Sequence, residues 1–430
     1  MSSMFIHEID HWTDFVWDKE KVTEKLMQIS EALGYMHGRL SLIGFDEQLK
    51  ATTESITEEV VSTSQIEGIS LNTRSVRSSV ARRLGVPADG VSENISHDVE
   101  GIVSVELDAT HNFKQPLVEE TLFGWHNELF PIERRKHYQI DVGQYRTHAM
   151  QVVSGNMGRE RVHYEAPAAS RVPEEMTQFI AWYNDDCLAA SPLKAAIAHF
   201  WFVCIHPFDD GNGRLARALS DRLLAQYENS QLRYYSMSSQ ILADRDNYYR
   251  ELERTQRGTG DITDWIVWFL STLLAAIQTS DSIIGKVLQK SYFWKIHAGK
   301  TYTERQKQIM SIYLDGYDGK LTAKNWAKLA DVSLDTAHRD ISDLVRKGML
   351  RPVQGAVRNV SYIPVFEQDD GLPFVNVRIE TEGKYTFVAM SYKGNNYRER
   401  LSEGDLQSLH QNERTLNDLA YKYFAYLVLL

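Results

Sequence analysis

The stretch His206-Pro-Phe-Asp-Asp-Gly-Asn-Gly-Arg-Leu-Ala-Arg217 decides the reading of this chain. It brings together an imidazole, carboxylates, a glycine-rich turn and two guanidinium groups. Ahead of it, Leu193 to Ile205 runs apolar nearly all round, as a helix through the middle of a large domain does, so His206 stands at the exit of a rigid buried element. Pro207 limits continuation of that helix. Gly211-Asn212-Gly213 permits the positive-φ conformations in which successive N–H groups converge on an anion. From Arg214 the pattern turns helical again through Leu215, Ala218, Leu219 and Leu223. The turn therefore lies at a helix N-terminus, where free N–H groups and the helix dipole favour negative charge. Arg214 and Arg217 lie three apart on that helix and can reach one polyphosphate, and Asp210 offers the hard oxygen that Mg2+ shares with phosphates.

Each part alone has a plainer reading. A single histidine at a helix end is usually structural, and Asp-Gly-Asn-Gly is usually a turn. A calcium loop is the other use of Asp and Asn at this density. Arg214 and Leu215, however, occupy the positions where an EF-hand register from Asp210 needs an oxygen ligand and a glycine.

The string matches His-x-Phe-x-Asp/Glu-Gly-Asn-Gly-Arg-x-x-Arg at every defining position, and on it the chain resembles the Fic family of protein adenylyltransferases. The resemblance implies that His206 is the general base that deprotonates a target hydroxyl. It implies that Asp210 holds Mg2+ between the α- and β-phosphates of ATP, and that Gly211, Asn212, Gly213, Arg214 and Arg217 bind the phosphates. Phe208 would be a buried anchor for the loop. Family members that transfer the γ-phosphoryl group carry lysine in place of the second motif glycine. Gly213 stands here, which implies AMP transfer by in-line attack on the α-phosphorus, with pyrophosphate leaving.

With 430 residues the chain has room for about two to four domains. Its two cysteines, Cys187 and Cys204, supply neither a disulfide framework nor a zinc site and read as reduced packing residues. No charged-then-apolar leader opens the sequence. The longest apolar run, Trp265 to Ile277, contains Ser and Thr and is too short to span a bilayer, so the expectation is a soluble, cytoplasmic protein with no membrane partner. A net charge of −11 argues against a whole-molecule nucleic-acid footprint and leaves room for one DNA-binding module.

Residues 1–100 read as a mostly helical N-terminal module opening on the polar-aromatic run Ile9 to Asp18, which resembles the small module often found ahead of Fic cores. In its helical stretch at about residues 51–68, Thr63-Ser64-Gln65-Ile66-Glu67-Gly68 puts Thr63 and Glu67 one turn apart on one face, with Gly68 as a C-terminal stop. Spacing alone says no more. The Fic inhibitory helix carries Ser/Thr-x-x-x-Glu-Gly/Asn, so the resemblance extends to members inhibited by their own N-terminal helix. There the glutamate pairs with the second motif arginine, which here would be Glu67 with Arg217.

Residues 101–290 are expected to hold the catalytic core. Gln151 to Asn156 and Arg161 to Tyr164 alternate about Gly155-Asn156 and read as a β-hairpin. It resembles the family's flap, whose edge strand pins the target segment by main-chain pairing, with Val162, His163 and Tyr164 as the flap residues. Asp246 to Leu252 reads as a core helix, and the resemblance places an adenine-contacting aromatic in it, Tyr248 or Tyr249. Two further patterns fail. Gly299-Lys300-Thr301 has Trp294 where a Walker A loop needs its first glycine, and His7 and His11 lack a third metal ligand.

Residues 295–365 resemble a winged helix-turn-helix. Helices at Arg305 to Leu314 and Thr322 to Ala330, a tight turn at Asp331 to Ser333, a recognition-like helix from Leu334 stopped by Gly348, and a wing from Arg351 to Pro364 follow one another. Ten Lys/Arg against seven Asp/Glu over residues 301–365 leave DNA binding, protein contact and dimer spacing all open. Residues 366–430 form an extension with strands at Phe374 to Thr381 and Thr386 to Ser391 and a helix from Leu416.

The expected fold is therefore mainly α, a Fic helical core with a small β-hairpin flap, plus a winged helix-turn-helix and a small α+β tail. The expected activity is autoinhibited AMP transfer, with ATP and Mg2+, to a Ser, Thr or Tyr hydroxyl of a protein target or of the chain itself; homodimers are common in this class. Two alternatives stand beside it. One is removal of AMP from the target, with Glu67 orienting water, and the other is a nucleotide-sensing DNA-binding regulator.

Overall fold

The computed structural model describes residues 5–41, 44–86, 95–130, 140–154, 161–185, 189–314, 317, 319–353, 360–366, 375–382, 385–392, 395–401, 405–406, 409 and 416–424. Within them the chain is mainly helical, with three small antiparallel sheets. It divides into two compact units, residues 1–38 with 49–281, and residues 39–48 with 282–430.

A 3-10 turn at Ile6–Glu8 is followed by α1 (Lys19–Leu40), α2 (Phe45–Ile66), α3 (Thr73–Leu84), α4 (His97–His111) and α5 (Glu119–Leu129). The hairpin β1 (Gln151–Ser154) and β2 (Arg161–Glu165) comes next, with a register shift at Val152/Val153. Helices α6 (Val172–Asn184), α7 (Pro192–Ile205), α8 (Asn212–Glu228), α9 (Met237–Ala243), α10 (Arg245–Gln256) and α11 (Thr263–Ile296) complete the series. Local chemistry sets many of these bounds. Asn72, Ser96, Ser191 and Ser236 cap the first turns of α3, α4, α7 and α9 with their side chains, and the left-handed Gly85 stops α3.

The core of this unit is α7. Every residue of it except Leu193 is buried, which explains why its sequence lacks a polar face. Phe200, Phe202 and Ile205 are wholly buried, and each contributes about 1.5–3 kcal/mol through burial. The polar exceptions are satisfied. Lys194 Nζ donates to the Asp185 carbonyl at 2.7 Å, and His199 lies between Ser220 Oγ at 3.2 Å and Tyr248 Oη at 3.0 Å. Cys204 is buried here and burial pushes its thiol up, so it is a packing residue; Cys187 lies outside the described residues.

α11 is one continuous helix from Thr263 to Ile296, so the break expected between residues 290 and 295 falls inside it. Beyond it lie α12 (Glu304–Leu314), β3 (Leu321–Thr322), α13 (Ala323–Ala330), α14 (Leu334–Arg346), β4 (Leu350–Pro352) and β5 (Ser361–Pro364), with sheet order β3-β5-β4. Thr322 and Ser333 cap α13 and α14, and Asp331 takes the left-handed turn between them. Strands β4 and β5 fall within the segment expected as a wing and pair antiparallel; residues 354–359 lie outside the described set. A three-stranded meander follows, β6 (Val375–Glu382), β7 (Tyr385–Tyr392) and β8 (Asn395–Arg400), and then α15 (Leu416–Phe424). β8 was not expected, because Asn-Asn-Tyr-Arg-Glu-Arg has little of the β-branched and aromatic content that marks strands. No described helix is long and apolar enough to cross a membrane.

Candidate active site

α7 ends at His206, whose N–H donates to the Phe202 carbonyl while its own backbone takes φ 50°, the left-handed region that costs energy in a residue with a Cβ. Arg146 holds it there. This guanidinium is 2% exposed. Its Nε donates to the His206 carbonyl at 2.7 Å, Nη2 to Pro167 O at 2.5 Å and Ile205 O at 3.3 Å, and Nη1 to His148 O at 2.8 Å. The Arg146 N–H donates to the Pro207 carbonyl at 2.9 Å. One cation thus satisfies the carbonyls that the helix end and the strained residue leave open.

The imidazole of His206 has its Nδ1 3.1 Å from the Val203 carbonyl. A carbonyl only accepts, so Nδ1 carries the hydrogen and Nε2 is the basic nitrogen. Burial and the charge of Arg146 hold the His206 pKa below its ordinary value, against the opposing pull of the Val203 bond, Glu67 and Asp210. The ring is neutral at neutral pH, as a proton acceptor must be.

Phe208, wholly buried, stacks on the His126 ring with centroids 4.3 Å apart. His126 Nδ1 accepts from the Gly143 N–H at 3.0 Å, which leaves Nε2 as the donor to the Asp210 carbonyl at 3.1 Å. Asn212 closes the loop from inside: its amide donates to Phe208 O at 2.8 Å and its side-chain oxygen accepts from Phe208 N at 3.0 Å. The Asn212 side chain, expected on a phosphate, is therefore spent on the loop's own backbone, and what it can offer an anion is its N–H in the first turn of α8.

Gly211 opens α8 with φ 81°. Asp210 beside it is 60% exposed; its Oδ1 accepts from the Gly211 N–H at 2.6 Å and lies 3.7 Å from Arg214 Nη2. The Arg214 guanidinium sits 5.0 Å from the centroid of the Phe130 ring.

Arg217, one turn on, faces α2. Its Nη2 lies 2.7 Å from Glu67 Oε1 and 3.2 Å from the Thr63 carbonyl, and its Nε donates to Thr63 Oγ1 at 2.6 Å. Burial opposes the Glu67 charge, but Arg217, with Arg214 and Arg245 behind it, outweighs that and holds the carboxyl below its usual range. Glu67 owes its position to the end of α2. Gly68 N–H donates to Gln65 O and Ile69 N–H to Ser64 O, both at 2.9 Å, with Gly68 at φ 76°. That is a Schellman stop, and it places Glu67 at the helix terminus. A Cβ at Gly213 would stand 2.5 Å from Glu67 Oε1, so this carboxylate lies directly over the glycine turn.

The two tyrosines of α10 part company. Tyr248 is buried and bonded to His199, whereas Tyr249 is 40% exposed and stacks with Arg245 at 5.4 Å. Of the flap residues, Tyr164 turns inward, donating to Cys204 O at 2.8 Å beside His7 Nδ1 at 3.2 Å. Val162 and His163 stay half-buried on β2. The Val162 carbonyl accepts from Arg257 Nη2 at 2.8 Å, and His163 lies between Glu253 Oε2 at 2.7 Å and Ser154 Oγ at 2.5 Å. The Gly155-Asn156 turn lies outside the described residues. Arg146, His126 and Glu253 carry no motif, and nothing in their spacing marks them; only the folded chain brings them to the loop and the flap.

Residues 116–224 match the model of the Fic/DOC family, and residues 5–86 match a domain of unknown function, DUF4172. The chain carries a Fic domain. It is 25% identical over 224 residues to "Protein adenylyltransferase Fic" of Nematostella vectensis, covering 50% of this chain and 47% of that protein. It is 28% identical over 212 residues to the protein of the same name from Culex quinquefasciatus, covering 48% of this chain and 38% of that one. The chain thus spans less than half the length of these relatives. A Fic family protein from Desulfovibrio desulfuricans G20 has a similar structure, with TM-score 0.49, 18% identity, and coverage of 82% of this chain and 98% of that one.

Proposed function

We propose that this chain is a protein adenylyltransferase, moving AMP from ATP to a Ser, Thr or Tyr hydroxyl of a protein or of itself, and that Glu67 restrains it. The observation that carries the reading is the pairing of a neutral imidazole, its Nδ1 held by Val203, with an anion-accepting helix start whose second arginine is 2.7 Å from Glu67. His206 Nε2 would take the hydroxyl proton, and the N–H groups of Asn212 and Gly213 with Arg214 would hold the phosphates, the Gly211 N–H being taken by Asp210 Oδ1. Arg217 is the cation that a terminal phosphate would claim once Glu67 leaves. The exposed carboxylate of Asp210, at the mouth of the turn, fits an ion whose other ligands are phosphates and water, and Mg2+ there would neutralise charge on the departing pyrophosphate. The names of the relatives support AMP transfer; autoinhibition rests on Thr63, Glu67 and Arg217 alone. Mass spectrometry of the Glu67→Gly protein after incubation with ATP and Mg2+ tests it. Addition of AMP to the chain or to a co-incubated protein is the expected result, and addition of phosphate in its place would refute it.

A second reading is favoured by one feature. The ionised Glu67 carboxylate lies over Gly213, where it could orient a water for removal of AMP. Loss of AMP from a modified protein without ATP, dependent on Glu67, would establish that direction.

A further inference from the structure

Two turns along α2 and one along α8 from the Glu67–Arg217 pair, the two helices meet again. Glu59, Thr63 and Glu67 share one face of α2 at successive i+4 steps, and Gly213, Arg217 and Asp221 share one face of α8 in the same way. Glu67 lies on Gly213 and Arg217, Thr63 on Arg217, and Glu59 on Asp221. The first contacts attract. The last sets carboxyl against carboxyl.

Glu106 of α4 joins them, so that Glu59, Glu106 and Asp221 have oxygens within 4.8 Å of one another, and each side chain is at most 5% exposed. Among the described residues Arg233 is the guanidinium bonded to them: it pairs with Asp221 and donates to its carbonyl at 3.1 Å. Glu59 Oε2 accepts from Ser236 Oγ at 2.8 Å and Ser238 N at 2.9 Å. Glu59 Oε1, Glu106 Oε1 and the wholly buried Ser238 hydroxyl have no hydrogen-bond partner among the described residues. Other charged or titratable groups around the cluster are Arg217 on α8, Tyr183 on α6, and Glu228 and Tyr235 around Arg233. Three ionised carboxyls against Arg233 would leave two uncompensated negative charges out of water, which a fold does not sustain when protons can neutralise them. Burial first, then Asp221 and Glu59, pushes Glu106 well above the ordinary carboxylate range; burial and Glu59 push Asp221 up to about 7 against the pull of Arg233. With Arg233 already against Asp221, protons suffice to neutralise the charge that remains.

We propose that this cluster is a proton-operated latch for α2: protons held on Glu106 and Asp221 let Glu59 dock, and their loss repels Glu59 and lifts the helix, taking Glu67 off Arg217. The proposal rests on the inhibitory reading of Glu67. The sign follows from linkage. Docking raises these pKa values, so the docked helix binds more protons, is favoured on the acid side, and weakens as pH rises through the raised values.

The readout is the ratio of AMP transfer by Glu67→Gly to that by the full-length wild type, which cancels the pH response of the chemistry. Between about pH 6.5 and about pH 8.5 this ratio should fall by about tenfold, equivalent to one pKa unit of difference between the docked and the lifted helix. Glu59→Gln, whose amide keeps the Ser236 and Ser238 bonds and cannot be repelled, should abolish that fall and keep transfer low at both pH values. A second measurement needs no transfer at all. Without nucleotide, the thermal midpoint of Glu59→Gln should match wild type at about pH 6.5 and exceed it at about pH 8.5. A pH-independent ratio, an unchanged midpoint difference, or a midpoint lowered by a chelator would each overturn the latch. Absence of any transfer by Glu67→Gly would instead refute the enzymatic reading and leave the midpoints to decide on the latch.

Discussion

Glu67 and Arg217, 150 residues apart in sequence, are joined by a 2.7 Å charge-assisted hydrogen bond, and the same guanidinium is clasped by both the hydroxyl and the carbonyl of Thr63. Arg217 is 3% exposed. A planar cation so enclosed has few donors left for a phosphate, which is what the proposed restraint by Glu67 requires.

Replacing Glu67 by Gly removes the carboxylate and leaves Arg217 intact. Transfer of labelled AMP should rise at least about tenfold over wild type, equivalent to about 1.4 kcal/mol of restraint released. The double variant with His206→Ala should fall to background. No rise at saturating ATP would return α2 to a purely structural role.

The end of α2 offers a graded version of the same test. Gly68 has open space around it but φ 76°, so alanine there meets backbone strain and no clash. Gly68→Ala should cost about 1 kcal/mol of stability and loosen the Schellman stop that places Glu67. Partial activation, smaller than that of Glu67→Gly, together with a modestly lowered urea midpoint, is the expected pair of results.

His206 should show its environment in a pH profile. Burial and Arg146 lower its pKa, so the basic form persists below about pH 6.5, the ordinary histidine value. In the Glu67→Gly background the acid limb of the transfer rate should therefore have its midpoint below that value, measured at saturating ATP. Arg146→Lys should raise the limb and slow the reaction, because an ammonium cannot span the four carbonyls that the guanidinium bridges.

Arg146 also marks where legibility stopped. The His206 to Arg217 loop could be read in advance because its chemistry is contiguous and its glycines and charges admit few other uses. The Thr63 to Gly68 segment could be read only beside that loop, since one helical turn between a hydroxyl and a carboxylate is commonplace. Arg146 and His126 act through bonds to backbone groups some 60 to 84 residues away, and no spacing announces such a bond. Asn212 was expected on a phosphate, but its side chain faces Phe208, a direction set by the fold of the turn. Tyr164 went inward for the same kind of reason, a buried hydroxyl finding the Cys204 carbonyl. The strand β8 was missed because its polar sequence carries no strand pattern.

Asp210 allows binding and chemistry to be separated. Its carboxylate is 60% exposed and, among the described residues, accepts only from the adjacent Gly211 N–H and lies 3.7 Å from Arg214 Nη2, so removing it should leave the fold nearly untouched, within about 0.5 kcal/mol. Its remaining oxygen capacity points outward, where a phosphate-bound Mg2+ would be met. Asp210→Ala in the Glu67→Gly background should therefore keep its thermal midpoint and bind ATP in the absence of Mg2+ as the parent does. The gain in ATP affinity that Mg2+ confers on the parent should disappear, and AMP transfer should drop by about a hundredfold or more, the scale of losing a charge stabiliser at the reacting phosphate. Isothermal titration with ATP, with and without Mg2+, reads the binding half, and labelled AMP transfer reads the other. Undiminished transfer by Asp210→Ala, or transfer by the parent in excess chelator, would remove Asp210 and the metal from the reaction.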